Sequence, residues 1–261
     1  HSNLCSEICL PTTDRSSFVC CLSSLNILHY DDWKDTDAVE TMVYFLDAVM
    51  SDFISKLEEL RNSADANDRR AFYFMERAYN FAKENRALGL GVLGWHSYLQ
   101  SKMIAFESLE ANKINTEIFR LIQNRSYAAS KTLAQELGEP ELLQGYGRRN
   151  STLNAIAPTT SSSFILGQVS QSIEPIWSNC YVKDIDKMKV TIKNPSLEKI
   201  LEEKSKNTQE TWESIRVKDG SVQHLDFLSE AEKDVIKTFC ERDQEAVIAH
   251  AASRQHGVDH S

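Results

Sequence analysis

The chain opens on Asn3-Leu4-Cys5-Ser6-Glu7, a short run that places a thiol two residues from a carboxylate. If the run is extended, residues i and i+2 point the same way, so Asn3, Cys5 and Glu7 share one face. An amide, a thiol and a carboxylate on one face form a candidate reactive group. The alternative is a buried structural cysteine beside an exposed glutamate, which is the commoner arrangement for an isolated Cys-x-Glu.

A second cysteine-bearing run follows closely, Phe18-Val19-Cys20-Cys21-Leu22-Ser23-Ser24-Leu25-Asn26. Residues 3–10 and 18–27 are predicted to be two extended segments on either side of a polar turn at 12–17. That arrangement would bring Cys5 and Cys20 near each other. In a strand, Cys21 would point to the opposite face from Cys20.

Three further runs carry information. They are Arg-Ala-Leu-Gly-Leu-Gly-Val-Leu-Gly (86–94), Arg-Asn-Ser-Thr-Leu-Asn-Ala-Ile-Ala-Pro-Thr-Thr-Ser-Ser-Ser (149–163) and Ile-Glu-Pro (173–175). The first matches the Gly-x-Gly-x-x-Gly spacing of dinucleotide sites, but Glu107 and Glu110 lie in a polar stretch and not at the end of a second strand. At 158–163, a strand followed by hydroxyl residues indicates a helix start, which is either an ordinary capped helix or an anion site.

In this order, the five runs resemble the large (catalytic) subunit of class I ribonucleotide reductase, from the start of the chain to about Tyr181. The resemblance implies the C-terminal part of a ten-stranded α/β barrel with long amphipathic helices, in which the reactive cysteine lies on a loop threaded through the barrel. Residues 1–261 would be one partial catalytic barrel domain. The N-terminal half of the barrel, the regulatory region and the C-terminal tail would lie outside it.

The same resemblance implies roles for individual residues. Cys5 would be the thiyl-radical residue, Glu7 the base for the 3′-hydroxyl, and Asn3 a hydrogen-bonding partner of the ribose or of Glu7. Cys20 would be one of the two reducing thiols, and it, not Cys21, would face Cys5. The substrate-binding residues implied are Leu4, Pro158, Thr159, Thr160, Ser161 and Ser162.

The implied reaction is the reduction of ribonucleotides, most simply ribonucleoside diphosphates, to 2′-deoxyribonucleotides. It implies no cofactor in this chain, a radical supplied by a small partner subunit, an external thiol reductant, and a homodimer when the enzyme is complete. Two alternatives stay open: a non-catalytic interaction half of a split reductase, and a cobalamin-dependent reductase using adenosylcobalamin. The cobalamin-dependent class shares the Cys-x-Glu loop.

Composition sets outer limits on these interpretations. The chain has 261 residues, 41% hydrophobic and 26% charged, which is typical of a globular domain with a sizeable core. A net charge of −9 argues against a nonspecific nucleic-acid surface. We expect no membrane span. The six cysteines lack Cys-x-x-Cys spacing, so we expect no metal site. We also expect the thiols to be reduced and cytoplasmic. His1 and Ser261 both look like cut ends, so we expect a longer polypeptide and an inactive fragment.

Hydrophobic periodicity predicts alternating strands and helices, which favours an α/β barrel or an open parallel sheet. The resemblance selects the barrel. Helices are predicted at 35–60, 69–85, 95–103, 112–137, from 195, 207–217 and 229–240. Strands are predicted at 87–93 and 151–157, with a hairpin at 178–193. Cys240 is predicted to be a packed apolar residue of the last helix.

Overall fold

Helices dominate the protein, whose computed structural model describes residues 7–185 and 188–261. The strands are β1 (Leu22–Asn26), β2 (Gly89–Leu93), β3 (Cys180–Ile185) and β4 (Met188–Lys193). The α-helices are α1 (Tyr30–Trp33), α2 (Ala38–Asn62), α3 (Ala66–Asn85), α4 (Trp95–Ser101), α5 (Leu109–Leu137), α6 (Thr160–Ile165), α7 (Pro195–Glu203), α8 (Gln209–Val217), α9 (Glu230–Ile236) and α10 (Gln244–Arg254).

Four extended segments lie side by side and run parallel. β1 pairs with β2 in register from Leu22 opposite Gly89 onward. The third segment is the stretch around Asn154, which forms a parallel bridge with Leu90 of β2. The fourth is the stretch around His260, which forms a parallel bridge with Ala155. Helices connect each segment to the next, so the arrangement is the repeated strand–helix–strand unit that parallel pairing requires.

The main core lies between these segments and the long helices α2 and α5. One face of α2 is buried at intervals of three and four residues, as helical geometry requires. Its apolar members are Val39, Val43, Leu46, Met50, Ile54 and Leu57. Val49 lies beside this stripe and is exposed. Each fully buried aliphatic side chain contributes about 1.5–3 kcal/mol.

A second, smaller core is built by the C-terminal half. The antiparallel β3–β4 hairpin packs with α7, α8 and α9 around Leu197, Leu201 and Ile215. This hairpin agrees with the predicted one at 178–193.

Two sequence predictions need correction. Residues 7–21 form no strand, and only Leu22–Asn26 of the predicted segment 18–27 joins a ladder, since β2 offers partners to that part alone. The predicted helix 229–240 stops at Ile236, because Lys237 adopts an extended conformation and Thr238 starts a short 3-10 turn with its own capping box. Cys240 therefore lies in that turn and is exposed, not packed.

Across the described ranges, no helix combines the length and the apolar character needed to cross a membrane.

Candidate active site

The carboxyl ends of the parallel segments meet at one edge, where α/β proteins usually place their ligand sites. β1 and β2 end at Asn26 and Leu93, and the segment paired with β2 continues into Ala157 and Pro158. A cavity of about 410 Å³ lies between the end of β2 at Leu93 and the first half of β1, and Ser23, Ser24, Thr159 and Ser162 contribute to its lining. The run 149–163 is thereby brought next to β1, although the two are far apart in sequence.

One face of the parallel segments is lined by very small residues. Pairing in register puts Gly89 and Gly91 on the same side as Leu22 and Ser24 of β1. A Cβ atom at Gly89 would lie 2.8 Å from the Cβ of Ala155 and closer still to the Leu22 side chain. A Cβ at Gly91 would collide with the carbonyl oxygen of Ala155. These glycines allow backbones to approach closely and do not form a dinucleotide turn.

The opening segment packs onto this small-residue face. Ile8 is buried in a cluster with Phe81, Ala87 and Ala155, and Leu10 joins the same cluster. Cys9, between the two apolar residues, is exposed, so residues 8–10 alternate as an extended segment does. The small residues therefore leave room for the chain that carries Cys5 and Glu7.

Glu7 is buried beside a second cavity, of about 460 Å³. Neither carboxylate oxygen accepts a hydrogen bond from any residue that the structure describes. Pro158 and Arg254 line the same cavity, and Ala157 contributes to this cavity and to the one beside β1. An unpartnered buried carboxylate next to an open cavity is poised to accept a proton or a hydrogen bond from a ligand.

Asn3, Leu4 and Cys5 lie outside the described residues, so their predicted roles rest on the sequence. The same holds for the predicted approach of Cys5 to Cys20.

Cys20 and Cys21 differ in their exposure. The Cys21 thiol donates to the carbonyl of Leu46 on α2 at 3.5 Å. Burial, followed by the nearby charge of Asp47, raises the pKa of Cys21 to about 11, which makes it a poor nucleophile at neutral pH. Cys20 is exposed, and both cysteines line a cavity of about 380 Å³ beside α2. Of the two thiols, Cys20 is therefore the more accessible one.

The segment 158–162 forms a tight turn into α6. Thr159 has φ 50°, a left-handed conformation that is uncommon for a threonine, and its hydroxyl accepts from the backbone N–H of Ser172 at 2.9 Å. Among the described residues no side chain caps the first turn of α6, so its amides are open to a ligand. Thr160 and Ser161 are exposed, and Thr160 donates to Gln171 at 3.3 Å.

The Ile-Glu-Pro run is held by a buried histidine. The backbone N–H of Ile176 donates to Nδ1 of His96 at 3.0 Å, and Nε2 of His96 lies 2.7 Å from Arg242. Burial and then the charge of Arg242 lower the pKa of His96 well below its usual value, so the ring is neutral. In the described part of the chain, no group of histidine, cysteine and acidic residues has the arrangement of a metal site.

Residues 1–144 and 140–261 match the family model of the ribonucleotide reductase barrel domain. The chain belongs to the ribonucleotide reductase family. This confirms the predicted family and the α/β barrel class, and the parallel strand–helix units are the part of the barrel that this chain contains.

Named relatives agree with the family. The chain is 41% identical over 262 residues to the ribonucleoside-diphosphate reductase large subunit of Invertebrate iridescent virus 6, covering 98% of this chain and 26% of that protein. It is 41% identical over 254 residues to the putative large subunit of Frog virus 3, covering 97% of this chain and 43% of that protein. Among solved structures, the class Id ribonucleotide reductase alpha subunit of Actinobacillus ureae matches with a TM-score of 0.88 and 53% identity, covering 100% of this chain and 46% of that one. The chain spans less than half the length of these reductase subunits.

Sequence reasoning missed several residues at this candidate site. Asp259 accepts from the backbone N–H groups of Leu153 and Asn154, at 2.7 and 3.0 Å, and so fixes the strand that leads to Pro158. His260 accepts from the backbone N–H of Cys9 at 3.4 Å. The only local signal was the short run Val-Asp-His after Gly257, which is too brief for a periodicity argument.

Proposed function

We propose that this chain carries the active-site loop and the substrate-phosphate segment of a ribonucleoside-diphosphate reductase, which converts ribonucleotides to 2′-deoxyribonucleotides. One observation carries the proposal: Glu7 of the opening segment is buried beside a cavity that Pro158 of the distant run 149–163 also lines. The two motifs were recognised independently in the sequence, and a shared cavity is what a common substrate requires.

Cys5 is the proposed hydrogen-abstracting residue. A thiyl radical suits the task because an S–H bond is similar in strength to the C–H bond it exchanges with, so the 3′ hydrogen can be taken and later returned. Glu7 then accepts the 3′-hydroxyl proton, a role consistent with its buried and unpartnered carboxylate. Asn3 hydrogen-bonds the ribose hydroxyls or Glu7, and Leu4 contacts the substrate.

Cys20 is the proposed reducing thiol within this chain. Loss of the 2′-hydroxyl as water needs two electrons, which a pair of thiols supplies by forming a disulfide. The exposure of Cys20 supports this assignment over Cys21, whose thiol is partly buried and donates to Leu46 on α2. The second thiol of the pair comes from a part of the polypeptide upstream of the Asn-Leu-Cys loop.

The diphosphate is proposed to bind at Pro158, Thr159, Thr160, Ser161 and Ser162. Open amides in the first turn of α6 and exposed hydroxyls supply hydrogen-bond donors for an anion. Thr159 and Ser162 line the cavity beside β1, which gives the phosphates a place near the ribose site. The net negative charge of the chain makes such local donors necessary.

The proposal includes partners. A small subunit supplies the radical, an external thiol restores the reduced cysteines in a cytoplasmic setting, and two large subunits associate. The 53% identity to a class Id alpha subunit supports a partner-supplied radical over adenosylcobalamin. It also favours a catalytic chain over a purely interacting half.

The test uses the complete polypeptide with its radical-generating partner, a ribonucleoside diphosphate and a chemical dithiol. We expect Cys5→Ser to form no deoxyribonucleotide, because an alcohol O–H bond is too strong for the exchange. Cys9→Ser is the matched control, since Cys9 is an exposed thiol of the same segment, and it should keep its activity. Deoxyribonucleotide formation by Cys5→Ser would overturn the proposal.

A further inference from the structure

His260 is held rigidly against the opening segment. Its backbone N–H donates to Asn154 at 3.1 Å, and its carbonyl accepts from Ile156 at 2.9 Å, which makes it part of the parallel array. It pairs with Ala155, and paired residues of neighbouring strands point to the same face. The imidazole therefore lies on the side where Ile8 packs against Ala155.

The hydrogen bond from Cys9 fixes the tautomer of His260. The Cys9 backbone N–H donates to Nδ1 at 3.4 Å, so Nδ1 is the acceptor nitrogen of the neutral ring. The proton is then on Nε2. Burial lowers the pKa of His260 below its ordinary value, which keeps the ring neutral near pH 7. Nε2 is buried and finds no acceptor among the residues that the structure describes.

Glu7 offers the complementary group two residues before Cys9. Both of its oxygens are buried without a donor from the described residues, while its charge is near enough to act on the His260 ring. Asp259 is the other charged group that acts on this ring, and its Oδ2 already accepts from Leu153 and Asn154. A buried donor and a buried acceptor, each without a partner among the described residues, thus lie within electrostatic range of each other.

We propose that His260 is a positioning residue for Glu7, whose carboxylate accepts a hydrogen bond from Nε2–H of His260 when substrate occupies the site. This inference rests on the proposed function, because it concerns the residue assigned as the base. The bond would leave one carboxylate oxygen free to face the 3′-hydroxyl. It would also stabilise the ionised carboxylate that must accept the proton.

Two substitutions separate this role from a structural one. His260→Gln keeps an N–H donor at about the position of Nε2, whereas His260→Asn keeps only an acceptor near Nδ1 for the Cys9 N–H. The experiment measures kcat and KM of the complete enzyme with its radical partner. Thermal unfolding of both variants checks that each one folds.

We expect His260→Gln to stay close to wild type. His260→Asn should lose about tenfold in kcat with little change in KM, the usual size of a lost hydrogen bond to a charged group.

Equal losses in both variants, or a loss in His260→Asn that appears in KM and not in kcat, would overturn the inference. The variant Glu7→Gln distinguishes a failure of this inference from a failure of the proposed function. If Glu7→Gln is inactive while His260→Asn behaves as wild type, only the positioning role of His260 is wrong. If Glu7→Gln keeps full activity, the assigned base is wrong and the inference falls with it.

Discussion

Arg86 and Asp47 form a bidentate ion pair inside the protein, in which Nε and Nη2 of Arg86 donate to Oδ1 and Oδ2 of Asp47, each at 2.9 Å. Arg149 adds a bond to Oδ2 at 3.0 Å, and the amide of Asn150 donates to Oδ1 at 2.9 Å. Asn150 also donates to the carbonyl of Arg86. One carboxylate on α2 thereby ties the start of β2 to the start of the segment that leads to Pro158.

Removing that carboxylate should be strongly destabilising. Asp47→Asn leaves two guanidinium groups facing a neutral amide, and breaking a buried pair from one side costs about 3–5 kcal/mol. Asp52→Asn is the control, because Asp52 on the same helix pairs with Lys56 at the exposed surface, where such a pair is worth at most about 1 kcal/mol. Urea unfolding of the two variants should differ accordingly, and equal stabilities would contradict the role given to Asp47.

The contribution of Asp47 to the free energy of unfolding should depend on pH, because two arginines act on its carboxylate. Burial by itself raises the pKa of Asp47, but hydrogen bonds and attraction from Arg86 and Arg149 outweigh it and lower the pKa below the ordinary value. A lowered folded-state pKa adds stability above the unfolded-state pKa, and this contribution is lost as the pH falls through the folded-state pKa. The unfolding free energies of wild type and Asp47→Asn should therefore converge below about pH 4. A difference that stays constant as the pH falls well below about 4 would contradict this.

The small-residue face gives a second prediction. Gly91→Ala puts a Cβ into the carbonyl of Ala155, which is backbone and cannot move aside cheaply. Overpacking of this kind costs about 1–3 kcal/mol, and the displaced strand should loosen the opening segment. Gly138→Ala is the control, since it adds strain at φ +80° but meets no atom within 4 Å. Hydrogen exchange should report faster exchange in residues 7–10 for Gly91→Ala alone.

The two adjacent cysteines should differ in reactivity. Burial raises the pKa of Cys21 to about 11, and its thiol donates to Leu46, so little thiolate forms at pH 8. Cys20 is exposed. Alkylation of the reduced protein at pH 8, followed by peptide mass analysis, should modify Cys20 first. Faster labelling of Cys21 would contradict the difference in exposure and thiolate content given to the two thiols.

Sequence patterns predicted the features that depend on neighbouring residues. Local spacing is enough to predict the buried face of α2 and the hairpin near Cys180. Local capping residues predict the end of α5 at Leu137. The ion pair of Asp47 with Arg86 joins residues 39 positions apart, and no local pattern indicates it. His260 lies 251 positions from Cys9 and meets it only because parallel strands place them together. The motifs indicated Cys5 and Thr159, whereas the burial of Glu7 beside a cavity depends on residues far from it in sequence.

The last prediction separates the proposed roles of the cysteines in the complete enzyme. Cys20→Ser leaves the 3′-hydrogen abstraction by Cys5 intact but removes a reducing equivalent, so the substrate radical should form, decompose and release free base while the enzyme is inactivated. Cys5→Ser should release no base, because no substrate radical forms. Cys21→Ser keeps a donor toward Leu46 and should turn over normally. Chromatography of the free base from each variant is the measurement. Base release by Cys5→Ser equal to that by Cys20→Ser would show that Cys5 does not start the reaction.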